Sequence, residues 1–261
     1  MEILLAYSDD ADDEAMFYAI AKGYVGIPGV TFRHVRADIQ TLNRMASRGE
    51  PDVCAVSVAH VPRIAQHYDL LPHGGSVGRG YGPVVVALAP DAPLRRVAVP
   101  GLDTTAAAVL RLAAPEAELV EKVGATLGDS LADLRAGRYD AAVLVHEGRL
   151  VYQDAGLHLL LDLGKWWEQE TGLPLPLGAN VIRNSLDRSL SDDLIGAIGE
   201  SIRWAADHRD EILDALAEHG RARGLDRAKL AHYLDLYANE DTAGYDETCQ
   251  QAIWELLRRI R

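Results

Sequence analysis

The segment Asp52-Val53-Cys54-Ala55-Val56-Ser57-Val58 is an almost unbroken apolar run in the first quarter of the chain. A run that does not alternate with polar residues is typical of a strand buried on both faces, as in a parallel sheet. Cys54 is interpreted as a core residue, because unpaired cysteines are among the most buried residue types. Cys54 and Cys249 form no CxxC or zinc-type spacing. The run therefore predicts a buried parallel strand.

Strand-like and helical segments alternate on both sides of this run. The strand candidates are residues 3–8, 30–36, 84–89, 95–99, 119–123 and 141–145, and the helix candidates between them are residues 12–22, 39–47, 104–113 and 127–136. This alternation predicts parallel sheets with helices on their faces, that is, an α/β fold. Beyond residue 178 the pattern is mostly helical, at residues 192–207, 209–218, 227–237 and 246–259.

Two turns that contain proline, at residues 90–93 and 174–176, enclose a central block of strands and helices. We interpret them as two crossings of a hinge. Residues 1–89 and 176–261 then form a large α/β lobe, and residues 90–175 form a small α/β lobe. The C-terminal helices are expected to pack on the first sheet. The pattern alone also allows a single doubly wound sheet with a helical tail.

The chain is acidic, with 39 Asp and Glu against 26 Lys and Arg and a formal net charge of −13. This charge argues against a nucleic-acid or anionic-membrane surface, but not against one small anionic ligand that responds to local dipoles. No run approaches the ~20 apolar residues of a membrane helix, and the first residues enter a strand candidate without a basic or lipidated segment. We expect a cytoplasmic monomer or homodimer that binds a small molecule.

Two strings stand out, Gly75-Ser76-Val77-Gly78-Arg79-Gly80-Tyr81-Gly82-Pro83 and Leu161-Asp162-Leu163-Gly164-Lys165-Trp166-Trp167-Glu168. Further segments of the same kind are residues 7–20, 38–43, 100–105, 145–152, 171–178 and 236–240. In number, order and spacing these segments resemble the 1,4-dihydroxy-6-naphthoate synthase family of the futalosine route to menaquinone. The resemblance runs along nearly the whole chain.

The resemblance implies a two-lobed, type-II periplasmic-binding-protein-like fold with a central ligand cleft. It also implies a lyase that splits cyclic dehypoxanthinyl futalosine, a carboxylate-bearing substrate, and releases 1,4-dihydroxy-6-naphthoate, with no cofactor and no metal. The better-known branch of the family has Ser-Pro-Cys-Pro-Asn-Asp-Thr after its first strand. Here Ser8 is followed by Asp9-Asp10-Ala11-Asp12-Asp13, so the chain resembles a second branch, whose substrate is open.

His146 directly follows the strand candidate at residues 141–145, and α/β sheets present functional groups at the carboxyl ends of their strands. A neutral imidazole can remove a proton from a sugar hydroxyl or carbon and so begin cleavage. We therefore predict His146 as the catalytic general base, a role that the resemblance supports over a structural one. Neighbouring strand residues point to opposite faces, so Glu147 is expected to face outward.

The turn Pro100-Gly101-Leu102-Asp103-Thr104-Thr105 joins a strand candidate to a helix candidate. Such a turn offers free backbone N–H groups and a favourable helix dipole to a carboxylate. Thr104 and Thr105 are predicted to bind the substrate carboxylate with their hydroxyls. The alternative is an ordinary N-cap by Asp103 or Thr104.

Five carboxylates crowd the start of the first helix candidate, at residues 9, 10, 12, 13 and 14. This number exceeds what helix capping requires, so we predict that Asp12 and Asp13 accept hydrogen bonds from sugar hydroxyls, with Ser8 beside them. A calcium site is a weaker alternative because the spacing fits no EF-hand loop. Ser57, at the end of its strand, and Asn43, in a family-like segment, complete the predicted substrate-binding set.

The glycines at residues 78, 80 and 82 precede a strand instead of opening a helix, so they do not form a dinucleotide fingerprint. Arg79 among them is interpreted as a structural hydrogen-bond donor. Two other functions stay open. A solute-binding protein has the same fold, since fold does not decide function, and so does the chorismate-dehydrating enzyme of the same pathway. The string at residues 161–168 favours the naphthoate synthase.

Overall fold

A computed structural model of the chain describes residues 1–260. The first sheet contains β1 (Glu2–Tyr7), β2 (Thr31–Arg36), β3 (Val53–Ser57), β4 (Tyr68–Leu70) and β5 (Ser76–Gly78), and the second contains β6 (Val84–Ala87), β7 (Arg96–Val99), β8 (Glu118–Glu121), β9 (Ala141–Leu144) and β10 (His158–Asp162). The long strand β11 (Leu175–Arg183) returns to the first sheet. The strand orders are β2-β1-β3-β11-β4, with β5 also against β11, and β10-β6-β9-β7-β8.

Helices cover both sheets. Between the strands lie α1 (Ala11–Ala21), α2 (Ile39–Ser47), α3 (Val61–Ile64), α4 (Thr105–Ala113), α5 (Leu127–Arg135), α6 (Gly148–Val151) and α7 (Leu163–Thr171). The C-terminal part forms α8 (Arg188–Asp207), α9 (Arg209–Ala215), α10 (Ala217–Ala222), α11 (Arg227–Tyr237), α12 (Glu240–Ala243) and α13 (Glu247–Arg259). None of the described helices is both long and apolar enough to cross a membrane.

The apolar run at residues 52–58 forms β3, and every residue of this strand is buried. It pairs in parallel with β1 and antiparallel with β11, so the predicted parallel neighbour is present on one side only. The carboxyl ends of β1 and β3 lie at one edge of the sheet. That edge brings Ser8, after β1, and Ser57, at the end of β3, to the same side of the first lobe.

The pairing of β6 shows that the chain first crosses between the lobes before this strand, and not after it as the sequence predicted. The sequence assigned residues 84–89 to the large lobe, but β6 pairs antiparallel with β9 and with β10 in the second sheet. Its apolar residues are buried in either arrangement, so hydrophobicity gives no signal of which sheet they join. Likewise residues 174–176 were interpreted as a hinge turn and no strand was predicted after them, whereas the strand β11 begins at Leu175. In the structure Pro176 lies beside a register shift in the pairing of β11 with β5.

The two lobes share a buried cluster at the hinge. Leu163 and Trp167 of α7 pack there with Leu175 and Ala179 of β11. The indole N–H of Trp167 donates to the carbonyl of Pro174 at 3.0 Å. This bond satisfies the polar atom of a fully buried ring and fixes the second crossing.

The C-terminal helices divide between the lobes. Leu194 and Ile198 of α8 pack in the core of the first sheet, as the sequence predicted. Ile253 and Leu256 of α13 instead join the hinge cluster together with residues of the second sheet. The last helix therefore braces both lobes.

Backbone approaches backbone closely where α7 meets the loop before β6. A Cβ on Gly164 would overlap the carbonyl of Tyr81, whereas a Cβ on Gly196 in α8 would meet nothing within 4 Å. We expect Gly164→Ala to lower the free energy of unfolding by about 1–3 kcal/mol, the usual cost of overpacking. Gly196→Ala, the matched control, should raise it by about 0.5–1 kcal/mol through helix propensity. Urea denaturation measures both, and equal effects would contradict the close approach.

Candidate active site

A cleft between the two sheets encloses about 720 Å³ of empty space, including its open mouth. Apolar side chains line most of it, among them Met16, Ile39, Val56, Pro83, Pro100, Val145 and Leu177. Its polar lining comprises Ser8, Asp12, Asp13, Ser57, Ser76, Thr104, Thr105, His146 and Tyr237. All the predicted site residues except Asn43 therefore line one cleft, and a mostly apolar lining with a few polar groups is typical of small-molecule sites.

A wider, more polar groove adjoins this cleft, and we call it the outer groove. The cleft and the outer groove share His146, Val145, Pro100 and Ile39 in their walls. The other polar or charged residues of the outer groove are Asp9, Asp10, Asp38, Lys122, Thr126, Ser130, Glu147 and Arg223. His146 thus stands at the junction of an apolar and a polar space.

His146 occupies an unusual backbone conformation at the end of β9. Its φ is 49°, and no other non-glycine residue in the described part of the chain has a positive φ. Such a conformation persists only where the surroundings fix it, and it is enriched at functional sites. The side chain is 26% exposed, so it is held by the protein yet open to the cleft.

Both nitrogens of the His146 ring have partners. Nδ1 lies 3.2 Å from the hydroxyl oxygen of Tyr233, and that hydroxyl donates to Oδ1 of Asp12 at 2.7 Å. Because Tyr233 uses its only proton on Asp12, its oxygen accepts from Nδ1–H. Nε2 lies 3.3 Å from Oδ2 of Asp10. The network therefore assigns Nδ1 a fixed proton and leaves Nε2 as the nitrogen that exchanges one.

Carboxylates dominate the electrostatics of this network. Burial by itself would lower the pKa of His146, but the charges of Asp10, Asp12 and Glu147 raise the pKa to about 9. Burial raises the pKa of Asp10 to about 6, although His146 opposes this shift. In the ligand-free cleft the imidazole is therefore protonated at neutral pH. This differs from the neutral imidazole that the sequence led us to expect.

The β1–α1 turn is held by its own side chains. Burial raises the pKa of Asp13 well above its ordinary value, and Oδ2 of Asp13 accepts from the amide of Ser8 at 2.7 Å. Oγ of Ser8 accepts from the amide of Asp10 at 3.2 Å. Asp12 is engaged by Tyr233. The carboxylates predicted to bind sugar hydroxyls thus already have protein partners, and Asp10 is the one that faces His146.

Asn43 is fully buried and lies behind the cleft. Its Oδ1 accepts from the amide of Ser57 at 3.0 Å, and its Nδ2 donates to Oγ of Ser57 at 3.1 Å. Nδ2 also lies 3.3 Å from the carbonyl of Asp103, in the other lobe. Asn43 therefore orients Ser57 and ties it to the turn before α4, without reaching the cleft.

The two threonines before α4 use their hydroxyls within the fold. Thr104 is the N-cap: its Oγ1 accepts from the amide of Ala107 and donates to the carbonyl of Gly101. Oγ1 of Thr105 donates to the carbonyl of Leu177 at 2.7 Å and accepts from the amide of Ala59. The group in this segment that is left to bind an anion is the first turn of α4. The first N–H groups of a helix have no intrahelical acceptor.

A family model described as menaquinone biosynthesis matches residues 3–261 of the chain. The chain belongs to this menaquinone-biosynthesis family. A Streptomyces coelicolor protein named 1,4-dihydroxy-6-naphtoate synthase is 40% identical over 98% of this chain and 91% of its own. A Thermus thermophilus protein of the same name is 36% identical over 98% of this chain and 93% of its own.

Solved structures show which fold the chain has. An Archaeoglobus fulgidus protein, 37% identical, superposes with a TM-score of 0.92 over 99% of this chain and 96% of its own. A Candida albicans protein with the generic periplasmic-binding-protein fold gives 0.75 at 13% identity, covering 100% and 90% of the two chains. The predicted periplasmic-binding-protein-like fold is confirmed, and the alternative of one doubly wound sheet is wrong, because two sheets are present.

Two residues of this site were missed by sequence reasoning. Asp10 lies in the acidic stretch, but the sequence does not distinguish which carboxylate faces His146. Tyr233 lies 87 positions beyond His146, inside a helix whose pattern signals only packing. Long-range placement of this kind leaves no local signal.

Among residues 1–260, two groups of side chains come close enough to offer ligands to a cation. They are Asp10, Asp12 and His146, and Asp241, Asp246 and Cys249. In each group the carboxylates already have protein partners. Arg79, the predicted structural donor, binds Asp241 through two hydrogen bonds of 2.8 and 2.6 Å. We therefore identify neither group as a metal site.

The pKa of His146 is open to direct measurement. In an NMR titration of the ligand-free protein, the His146 ring should titrate near pH 9. Asp10→Asn should lower this pKa, because it removes the carboxylate nearest Nε2. Asp69→Asn, an exposed change on β4, serves as the control and should leave it in place. A value near 6.5 in the unchanged protein would show that the carboxylates do not govern the ring.

Proposed function

We propose that this chain is a carbon–carbon lyase that splits cyclic dehypoxanthinyl futalosine and releases 1,4-dihydroxy-6-naphthoate. The observation that carries the proposal is the position of His146, which lines both the cleft and the outer groove and has its Nδ1 fixed by Tyr233. The name of the Streptomyces and Thermus relatives refers to the same product.

His146 acts in this proposal as the general base. Nε2 takes a proton from the sugar portion of the substrate, and cleavage of the ring system follows. A histidine with a pKa of about 9 is a stronger base than an ordinary one, but its deprotonated form is scarce at neutral pH. The value of kcat/KM should therefore rise with pH up to about 9, where His146 of the free enzyme loses its proton.

The substrate is oriented by the difference between the two spaces. In this proposal the aromatic acid lies along the apolar cleft, with its carboxylate at the first turn of α4, where free N–H groups and the helix dipole favour an anion. The sugar portion then lies toward the outer groove, among hydroxyl and charged side chains. In this orientation the bond to be broken lies beside His146.

The decisive experiment incubates the purified protein with cyclic dehypoxanthinyl futalosine and follows 1,4-dihydroxy-6-naphthoate by absorbance and mass. His146→Asn should abolish turnover while substrate affinity stays within roughly tenfold, as expected for loss of a base. His158→Asn, on the edge strand β10, is the matched control and should keep full activity. Tight binding without product would favour a solute-binding protein. Conversion of chorismate instead would favour the dehydrating enzyme.

The carboxylate site can be tested with the unchanged protein. We expect 2-naphthoate to bind about ten- to a hundredfold more tightly than 2-naphthamide, because hydrogen bonds to charged groups contribute roughly 1.5–3 kcal/mol. Competition calorimetry measures the ratio. Equal affinities would contradict the placement of a carboxylate at α4.

A further inference from the structure

Glu147 is buried, although its position after His146 led us to expect an outward side chain. Only 6% of the residue is exposed. Its Oε1 lies 3.7 Å from Nε of Arg223 and 3.9 Å from Nε2 of His219. These distances suit ion pairs but are too long for hydrogen bonds. Burial by itself would raise the pKa of Glu147, but His219, His146 and Arg223 lower it, so the buried carboxylate is ionised.

Arg223, at the end of α10, also binds Asp9, which belongs to the first lobe. Its Nη2 donates to Oδ2 of Asp9 at 2.7 Å and to the carbonyl of Asp9 at 3.1 Å. Its Nη1 lies 3.1 Å from Nδ1 of His219. One guanidinium therefore contacts Asp9, the neighbour of Asp10 in the chain, and Glu147, the neighbour of His146.

We propose that Arg223 is a positioning residue, which sets the separation of His146 and Asp10 by holding Glu147 and Asp9, the chain neighbours of both. The inference rests on the proposed function of His146, but the geometry itself concerns the ligand-free protein. Asp9 and Asp10 come from the first lobe, and His146 and Glu147 follow a strand of the second. Arg223 thus links the two halves of the site from outside the cleft.

The strained backbone of His146 makes such an anchor necessary. A residue at φ 49° relaxes unless neighbouring contacts fix it, and Glu147 is the adjacent residue with a charged anchor. A planar fork that contacts two carboxylates at once is a property of arginine. Lysine carries the same charge as a single point and cannot reproduce it.

Charged and titratable side chains from several elements surround the ring of His146. Its ring faces Asp10 at the N-cap of α1, Asp12 and Asp13 in the first turn of α1, Tyr233 and Tyr237 from α11, and Glu147 from its own segment. Glu147 in turn faces His219 and Arg223. The carboxylate of Glu147 raises the pKa of His146, so removing its charge should lower that pKa.

The test compares Arg223→Lys with Arg227→Lys. Arg227 also contacts two carboxylates, Asp210 and Asp214, but on the surface away from the cleft. Arg223→Lys should lower kcat at least tenfold with KM within threefold, and should lower the pKa of His146 as Asp10 drifts from it. Arg227→Lys should change neither. Equal kcat and equal His146 pKa in the two variants would overturn the proposal.

Glu147→Gln gives a second, isosteric arm if Arg223→Lys does not fold. In a plot of kcat/KM against pH, the midpoint of the rise should shift to lower pH. The shift should equal the fall in the pKa of His146 measured by NMR. An unmoved midpoint with an unmoved pKa would also overturn the proposal. If the unchanged protein turns over no futalosine derivative, the proposed function fails, while the NMR values of the ligand-free variants still decide whether Arg223 positions the pair.

Discussion

One imidazole among buried carboxylates is the interaction on which this site depends. Asp10, Asp12 and Glu147 are brought together from both lobes, and their mutual repulsion would oppose closure of the lobes if His146 were neutral. A protonated His146 offsets that repulsion and joins β9 of the second sheet to the turn after β1 of the first. Charge on the ring therefore helps to stabilise the ligand-free site.

The same charge balance bears on the anionic ligand that we propose for this acidic protein. The net charge of −13 is spread over the surface, where salt screens it within about 10 Å. Inside the cleft the first turn of α4 and the imidazolium of His146 favour an anion, whereas Asp12 and Asp13, which also line the cleft, oppose one. The preference of the cleft for an anion therefore depends on these few groups more than on the net charge.

The parts of the structure that could be predicted from sequence are those with a local pattern. The apolar run of β3 and the helix α11 were identified because neighbouring residues in the sequence indicate burial and helical spacing. The assignment of β6 to the second sheet was not, since its valines are buried in either sheet. The strand β11 was not predicted, because a proline such as Pro176 is rare inside a strand. Within the site, residues at strand ends were predictable, whereas Asp10 and Tyr233 owe their roles to partners far along the chain.

The fold is that of periplasmic binding proteins, and such a fold does not by itself decide between binding and catalysis. A binding cleft requires complementary shape and donors, but it does not require a side chain held in a strained conformation. Here His146 is held at positive φ, its Nδ1 is committed to Tyr233, and its Nε2 is free to exchange a proton with Asp10 or a ligand. Strain of this kind is destabilising by about 1–3 kcal/mol and persists only where the surrounding structure fixes it. The C-terminal helices provide that structure, through Tyr233 of α11 and Arg223 at the end of α10. In this chain they therefore do more than cover the sheets: they hold one histidine in a state that binding alone does not need.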